Sequence, residues 1–409
     1  MRSFVGIDWS EKRHDVRVHN DKGACLARFQ VPHSLQGFEK LEKRLKAVNP
    51  RAAACLVGIE TQENLLVDFL CERGYPLYVV APGTVNSNRG RHRASGAKDD
   101  DGDAYLLADI LRTDRHRLVP WRADGALVRQ MRLWLHGIDE LTNSIVRANN
   151  RLRANLLRYY PQCLQAFENL QSHIALAFLQ TYAAPTQLQA LSYEDFWTFC
   201  RRQGYRHYRL LPEKYAHLQT PAPQVDPAIV TAHAAYSCAV AQQLQLLTQQ
   251  KKKALQQVTS LFVQHEDAYI FDSLPGSGKL LAPKLLVMFG DHRDRYPQPT
   301  ILQAIAGACP ITRRSGKSQL VLFRRACNRR YRATAQQFAM SSLVKSPWAA
   351  GYFYRAKERG HGNSHALRAL ANRWLRIIWA IWQKREPYDE SYHLQQLHHR
   401  RQPQPSTSA

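Results

Sequence analysis

Apolar side chains recur every seven residues in the middle of this chain, and this spacing restricts the possible folds more than any other feature. The first series consists of Met131, Ile138, Ile145, Leu152 and Tyr159. A second, less regular series consists of Val240, Leu247, Ala254 and Leu261. A seven-residue apolar repeat is typical of long helices that pack along a shared seam. The two series therefore predict two long helices, which pack on each other within one chain, between chains, or both.

Before this region, short apolar segments alternate with helical ones. Strands are predicted at 4–8, 15–19, 25–31, 53–59 and 77–80, and helices at 35–47 and 64–73. A polar, basic loop over 86–98 and a helix from about Asp99 to Leu111 follow. Three meandering strands followed by alternating strands and helices predict a mixed α/β sheet.

The length of 409 residues allows two to three domains. We predict an α/β domain at 1–120, a coiled-coil or helical oligomerisation region at 121–268, and a mainly α C-terminal domain at 269–386. The remaining segment, 387–409, is polar and contains proline at its end, and it is predicted to be a disordered tail.

Basic residues outnumber acidic residues, with 57 Lys and Arg against 33 Asp and Glu and a formal net charge of +24. Such an excess favours a polyanionic partner, and nucleic acid is the commonest one. No apolar run approaches membrane-spanning length, and the N-terminus lacks an apolar signal stretch, so a cytoplasmic protein is predicted. The 8 cysteines form no CxxC pair, which argues against a zinc ribbon.

Four carboxylates stand where strands end or a helix begins. Asp8 closes the first predicted strand, and Glu60 closes the strand after the first helix. Asp100 and Asp103 share one face at the start of a helix. The alternative for each of them alone is a capping or surface carboxylate, and for Asp8 alone this alternative is favoured. Together they would repel one another without a cation, and hard oxygen ligands select Mg²⁺ or Mn²⁺, so we predict a divalent-metal site.

A second polar cluster lies at 309–318, where Arg313, Arg314 and Lys317 flank Ser315. Cationic groups in such positions stabilise the charge of a phosphoryl transition state. Because no His-Asp pair nearby supplies a base, the residues by themselves favour a Ser-Gly turn in a DNA-contacting loop over a nucleophile. A phosphate-contacting stripe is predicted downstream, at Arg324, Arg325, Arg329, Arg330 and Arg332.

Together these motifs resemble the DEDD-type insertion-sequence transposases, a family that includes the pilin-inversion and the bridge-RNA-guided serine recombinases. Gly6-Ile7-Asp8 resembles the first acidic strand of the family, and Glu60-Thr61 resembles its second acidic site. Residues 98–104 are similar to the family motif Lys-Thr-Asp-x-x-Asp-Ala, with Asp99 in place of the threonine. Residues 306–318 resemble the serine motif of the family, and Ser315 aligns with its serine.

The resemblance implies an RNase H-like, RuvC-type N-terminal domain, a coiled coil and a helical transposase domain that carries the serine. It also implies Mg²⁺ or Mn²⁺ on the acidic residues and Ser315 as the nucleophile that cuts and rejoins DNA. The site would combine the two parts from different subunits of a dimer or tetramer. Donor and target DNA, and a bridge RNA encoded by the element, would be the partners.

Two other functions remain compatible with the same residues. The first is a metal-dependent, structure-selective nuclease similar to a junction resolvase, in which water attacks the phosphate and Ser315 only binds it. The second is a non-catalytic nucleic-acid-binding scaffold, which would tolerate loss of the acidic residues. A covalent protein–DNA adduct distinguishes the recombinase from the nuclease.

Overall fold

The structure is a computed structural model that describes residues 1–62, 64–92, 100–316 and 318–399, with the backbone alone at 90–92, 100–101 and 397–399. The chain divides into two compact units, Met1–Asp124 and Gly125–Ala409. Within the described ranges, no helix is long and apolar enough to cross a bilayer.

A five-stranded mixed sheet forms the first unit. Its strands are β1 (Ser3–Trp9), β2 (Arg13–His19), β3 (Cys25–Pro32), β4 (Cys55–Ile59) and β5 (Leu77–Val79). They lie in the order β3-β2-β1-β4-β5. The β1–β2 and β2–β3 pairs are antiparallel, whereas the β1–β4 and β4–β5 pairs are parallel. The predicted mixed α/β sheet is confirmed.

Four helices accompany the sheet: α1 (Leu35–Val48), α2 (Leu65–Glu72), α3 (Pro82–His92) and α4 (Asp100–Asp114). The backbone of α4 approaches β1 so closely that a Cβ on Gly6 would overlap the carbonyl oxygen of Ala104. A Cβ on Gly58 of β4 would likewise overlap the side chain of Leu111. These two glycines therefore allow α4 to lie directly on the sheet.

The prediction of a loop over 86–98 is wrong for residues 86–92, because α3 continues to His92. This helix has one fully buried apolar anchor, Val85, which packs with Val80 and Leu107. A single buried residue in an otherwise polar segment produces no helical periodicity, so the sequence did not reveal the helix. The rest of the predicted loop, 93–99, lies outside the described residues.

The second unit is mainly helical and contains one β-hairpin. Its helices are α5 (Ala126–Tyr159), α6 (Pro161–Ala166), α7 (His173–Thr181), α8 (Tyr193–Arg202), α9 (Leu211–Leu218), α10 (Pro227–Phe262), α11 (Ala268–Asp272), α12 (Gly278–Phe289), α13 (Pro299–Ile305), α14 (Arg329–Ser342), α15 (Pro347–Glu358), α16 (Asn363–Lys384) and α17 (Glu390–His399). The hairpin strands are β6 (Ile311–Ser315) and β7 (Ser318–Leu322).

The two long helices of the heptad prediction, α5 and α10, are present and pack antiparallel on each other. Near the end of α5, Asn155 donates hydrogen bonds to the carbonyl oxygen of His233 (2.9 Å) and to Ser237 Oγ (2.8 Å), close to the start of α10. Ile138, early in α5, shares a core cluster with Val258, late in α10. The buried seam thus packs inside one chain, and any contact between chains must use another surface.

The C-terminal tail differs from the prediction, because α17 occupies most of the described part of 387–399. The Glu390 carboxylate accepts hydrogen bonds from Ser346 Oγ (2.8 Å) and from the Trp348 amide (3.2 Å) at the start of α15. The Tyr388 hydroxyl donates to the same carboxylate at 2.7 Å. These bonds tie the segment to the C-terminal core, and they depend on residues distant in sequence.

Candidate active site

Asp8 and Glu60 lie at neighbouring positions where two parallel strands end. Ile7 of β1 pairs in register with Ile59 of β4, and the two acids are the next residues in each chain segment. Because side chains alternate along a strand, Asp8 shares the face of Gly6, and Glu60 follows Gly58 by two residues in the same way. That face is the one covered by α4. Both residues are half-buried.

The direction of α4 brings its first turn to the same edge. Leu111, late in the helix, packs with Phe4 and Leu56 at the beginning of the strands, whereas Ala104 lies over Gly6. The helix therefore runs antiparallel to β1 and β4, and its start points toward their carboxyl ends. Asp100 begins the helix, and Asp103 follows within the first turn. We call this region, defined by Asp8, Glu60 and the first turn of α4, the acidic edge.

Asp103 is engaged by an arginine within this edge. Asp103 as a whole residue is 5% exposed. Arg89, on α3, donates from Nε to Oδ1 at 3.1 Å and from Nη2 to Oδ1 at 2.7 Å and to Oδ2 at 2.6 Å. Two-nitrogen contacts of this kind are among the strongest charge-assisted hydrogen bonds in proteins. Arg89 thus neutralises one of the four predicted metal ligands.

Carboxylate oxygens are the ligands that a hard divalent cation prefers. One of these carboxylates, that of Asp103, already has the positive charge of Arg89 beside it. Among the side chains that the structure describes, no three His, Cys, Asp or Glu groups are close enough together to hold a metal ion. The side chain of Asp100 lies outside the description. The donor set therefore fits a metal, while the observed contacts of Asp103 are those of a pair with Arg89.

A pair of histidines lies beside the end of β1. His14 of β2 pairs in register with Trp9, and its Nε2 lies 3.0 Å from Nδ1 of His33. Burial and the charge of His33 lower the pKa of His14 to about 4, and Asp15 partly opposes this shift. His14 is therefore neutral at pH 7 and adds no positive charge to this part of the sheet.

Ser315 lies at the turn of the β6–β7 hairpin, a structure that the sequence did not predict. Ser315 and Ser318 pair in register across a two-residue turn. Gly316 has φ +54°, a left-handed conformation that glycine adopts without strain. Ser315, Arg313 and Arg314 are all exposed. Lys317, the other turn residue, lies outside the described residues.

Two arginines hold the base of this hairpin. The guanidinium of Arg332, on α14, donates to the carbonyl oxygens of Arg324 and Arg325. The guanidinium carbons of Arg332 and of Arg368, on α16, each lie 4.6 Å from the centre of the Phe323 ring. A Cβ on Gly307 would also collide with the Arg332 guanidinium. Arg332 therefore has several contacts within the protein, and its predicted contact with phosphate stays a prediction.

The rest of the predicted basic stripe faces solvent near the hairpin. Arg325, Arg329 and Arg330 are exposed, and Arg324 is half-buried. Arg329 and Arg330 open α14, where Asn328 caps the helix by accepting from the amides of Arg330 (3.0 Å) and Tyr331 (3.2 Å). Among the described residues, none of the three exposed arginines has an ion-pair partner. Such guanidinium groups are suited to phosphate contacts.

Further functional candidates carried no signal in the sequence. A cleft of about 460 Å³ is lined by Thr300, Tyr352, Arg373 and Arg376, among other residues. Arg89 and Arg368 were also missed, because one arginine among 57 basic residues is not distinctive without its partner. The segment 82–92 is polar and contains no acidic residue. This composition was the one feature of the sequence that could have drawn attention to Arg89.

Comparisons with known proteins assign both ends of the chain. A model of the DEDD type described as "Transposase" matches residues 5–161, and one described as "Transposase IS116/IS110/IS902 family" matches residues 268–354. The IS117 mini-circle protein of Streptomyces coelicolor is 30% identical over 394 residues, which cover 95% of each chain. The 44.8 kDa IS116 protein of Streptomyces clavuligerus is 26% identical, covering 93% of this chain and 94% of its own. The 42 kDa IS900 protein of Mycobacterium paratuberculosis is also 26% identical, covering 92% and 95%.

Proposed function

Because the chain belongs to the IS116/IS110/IS902 family of transposases, which are DNA-binding enzymes, we propose that it cuts and rejoins DNA with Ser315 as the nucleophile. The acidic edge would assist this reaction with Mg²⁺, in keeping with the divalent-metal use that a DEDD domain implies. The observation that carries the proposal is the convergence of Asp8, Glu60 and the first turn of α4 on one sheet edge.

In this proposal Asp8, Glu60, Asp100 and Asp103 hold the metal. When bound, Mg²⁺ would neutralise charge on the phosphate and on the departing oxygen. The protein contributes a rigid sheet edge for Asp8 and Glu60, and a helix that packs through Gly6 and Gly58 without intervening side chains. The five-stranded mixed sheet is consistent with an RNase H-like domain, and the RuvC type that the resemblance implies is part of this proposal.

The serine supplies the covalent step. Ser315 Oγ attacks the scissile phosphorus, the bond from phosphorus to the departing DNA oxygen breaks, and the hydroxyl proton passes through solvent to that oxygen. The products are a phosphoserine–DNA diester and a free DNA hydroxyl. Attack by another DNA hydroxyl reverses the step without ATP. Arg313 and Arg314, which are exposed on the same strand, would stabilise the negative charge on the phosphoryl oxygens.

We further propose that the active species is a homo-oligomer, a dimer or a tetramer, in which the acidic edge and Ser315 come from different subunits. Leu133 and Trp134 on α5 support a contact surface separate from the seam, because they are 68% and 43% exposed. A bridge RNA would pair with donor and target DNA. The net charge of +24 supports binding of more than one nucleic-acid strand.

A nicked DNA substrate tests this function, because it stalls a serine enzyme after cleavage. The wild-type protein should migrate on a denaturing gel as a slow band that contains labelled DNA. Ser315→Ala should abolish the band, whereas Ser318→Ala, three residues further along the chain, should retain it. Wild-type cleavage that releases free ends without an adduct would instead support the water-using nuclease.

A further inference from the structure

A buried arginine–aspartate pair lies inside the acidic edge. Arg89 contacts both oxygens of Asp103, and its side chain is 20% exposed while that of Asp103 is 7% exposed. A carboxylate has about four lone-pair sites, and three hydrogen bonds from Arg89 already use most of them. Because the guanidinium also places positive charge beside the site, Asp103 in this state is a weakened metal ligand.

The packing of α4 on the sheet does not rest on this pair alone, because the fully buried Ala104, Ala108 and Leu111 lie directly on Gly6 and Gly58. The same helix carries a second buried pair, Asp109 with Arg112, whose Nη2–Oδ1 distance is also 2.6 Å. That pair lies two turns further along, near the other end of the helix, and its two members belong to the same element. Arg89 differs because it reaches the acidic edge from α3, a helix that packs on α4 and carries no acidic residue between Pro82 and His92.

A nucleic-acid phosphate is the group that competes best for this arginine. Guanidinium groups bind phosphate through two parallel hydrogen bonds, with the geometry they use for a carboxylate. A scissile strand held at the acidic edge would bring such a phosphate to Arg89. Its partly exposed side chain could then exchange Asp103 for phosphate without leaving the site.

We propose that Arg89 couples metal loading to nucleic-acid binding. Without nucleic acid, Arg89 occupies Asp103 and weakens metal binding. When DNA is bound, the guanidinium moves to a backbone phosphate, and Asp103 becomes available to the metal. This inference rests on the proposed function of the acidic edge. It would favour the metal-loaded state in the DNA complex over the free protein and so limit unproductive cleavage.

Such coupling is reciprocal by thermodynamic necessity. If DNA raises the affinity for metal by some factor, the metal raises the affinity for DNA by the same factor. For an exchange of one buried ion pair, a factor of about tenfold lies within the usual range of such couplings. Removal of Arg89 should both tighten metal binding in the free protein and abolish the coupling.

The experiment uses the full-length protein with Ser315→Ala, so that bound DNA stays intact, and Mn²⁺ as the probe. Calorimetry without DNA should show that Arg89→Gln binds Mn²⁺ about tenfold more tightly than the parent. Arg112→Gln, the matched control, should bind it as the parent does. Fluorescence anisotropy should show that Mn²⁺ tightens DNA binding about tenfold in the parent and Arg112→Gln, but not in Arg89→Gln.

Two further variants make each outcome decisive. Arg89→Lys keeps the charge but loses the two-nitrogen contact, so it should give an intermediate Mn²⁺ affinity even if Arg89→Gln fails to fold. Asp103→Asn gives the baseline for Mn²⁺ bound elsewhere. Equal Mn²⁺ affinity in the parent, Arg89→Lys and Arg89→Gln, above that baseline, would overturn the coupling and leave the metal site intact. Binding at the Asp103→Asn baseline in every variant would overturn the metal site itself.

Discussion

The acidic edge and the serine hairpin are built in opposite ways. Asp8 lies near the end of β1 and Glu60 directly follows β4, two inner strands of a five-stranded sheet, and a helix covers their face. Ser315 lies at the turn of an isolated two-stranded hairpin whose residues are mostly exposed. The edge is positioned by a buried core. The hairpin is held at its base, where Arg332 and Arg368 stack on Phe323.

This contrast indicates how the two parts would divide the reaction. Carboxylates that bind a metal ion are most effective at a rigid, partly desolvated position, because electrostatic interactions are stronger there. A serine that remains bonded to a cut DNA strand must move with that strand, and an exposed hairpin allows such movement. Substitutions at the edge should therefore affect chemistry, and substitutions at the base of the hairpin should affect positioning.

The largest effect is expected at the acidic edge. Asp8→Asn should reduce strand cleavage about a thousandfold, the scale for losing a group that stabilises transition-state charge. DNA binding should change little, because the exposed basic residues are untouched. Cleavage kinetics and a binding titration measure the two properties separately. The control is Asp114→Asn, at the opposite end of α4. If Asp8→Asn cleaves DNA as fast as the wild-type protein, Asp8 is not part of the active site.

The first unit should lose stability in acid through His14. The unfolded chain binds a proton near pH 6.5, whereas the folded chain does so only near pH 4. The unfolded state thus binds more protons between these values, and the free energy of unfolding should fall as pH drops from about 6.5 to about 4, by at most about 3 kcal/mol. Denaturant titrations that monitor the first unit measure this loss.

His14→Phe should reduce this pH dependence, because the new ring can pack against Phe38, which His14 already contacts. His116→Phe is the control, since His116 is exposed in the same unit. The hairpin in the second unit contains no histidine, so its protease sensitivity should not follow this titration. An unchanged pH profile in His14→Phe would show that another group is responsible.

A moderate effect is expected at the base of the hairpin. Arg332→Gln removes the stacking on Phe323 and two hydrogen bonds, so Ser315 should be held less well and adduct formation should fall about tenfold or more. Limited proteolysis should cut the hairpin faster. Arg330→Gln, exposed on the same helix, should leave the protease sensitivity unchanged. If both variants respond alike, charge rather than positioning explains the loss.

The smallest effect is expected from the exposed arginines at the start of α14. Replacing Arg329 and Arg330 with glutamine should make the plot of log affinity against log salt less steep by about 2, since each phosphate contact releases close to one counterion. The comparison is Lys357→Gln with Arg359→Gln, also exposed but remote in sequence. If both double variants show the same salt dependence of affinity, the nucleic acid does not contact the start of α14.

The sequence predicted the regular parts of this molecule well. Continuous apolar runs located the two strands whose ends carry Asp8 and Glu60, and the heptads located α5 and α10, because both patterns reflect burial along one element. The motif resemblance predicted the family, which the comparisons confirm. The assignment of catalytic, metal-binding and phosphate-binding residues stays a prediction.

Features that depend on distant partners were missed. The hairpin at 311–322 lacks a buried face, so its strands show no apolar alternation, and its base is held by residues from α14 and α16. The helix α17 depends on the bonds of Glu390 to Ser346 and Trp348. Arg89 is recognisable only once α3 and α4 are seen side by side. Such contacts between elements leave no periodic trace in one sequence.

The most direct test of the account identifies the serine that carries the DNA. After the adduct is trapped on a nicked substrate and trimmed by nuclease, trypsin should cleave after Arg314 and after Lys317. Ser315 and Ser318 then fall in different peptides, Ser-Gly-Lys and Ser-Gln-Leu-Val-Leu-Phe-Arg. Mass spectrometry should find the nucleotide on the first peptide. A nucleotide on the second peptide, or on no serine at all, would contradict the account.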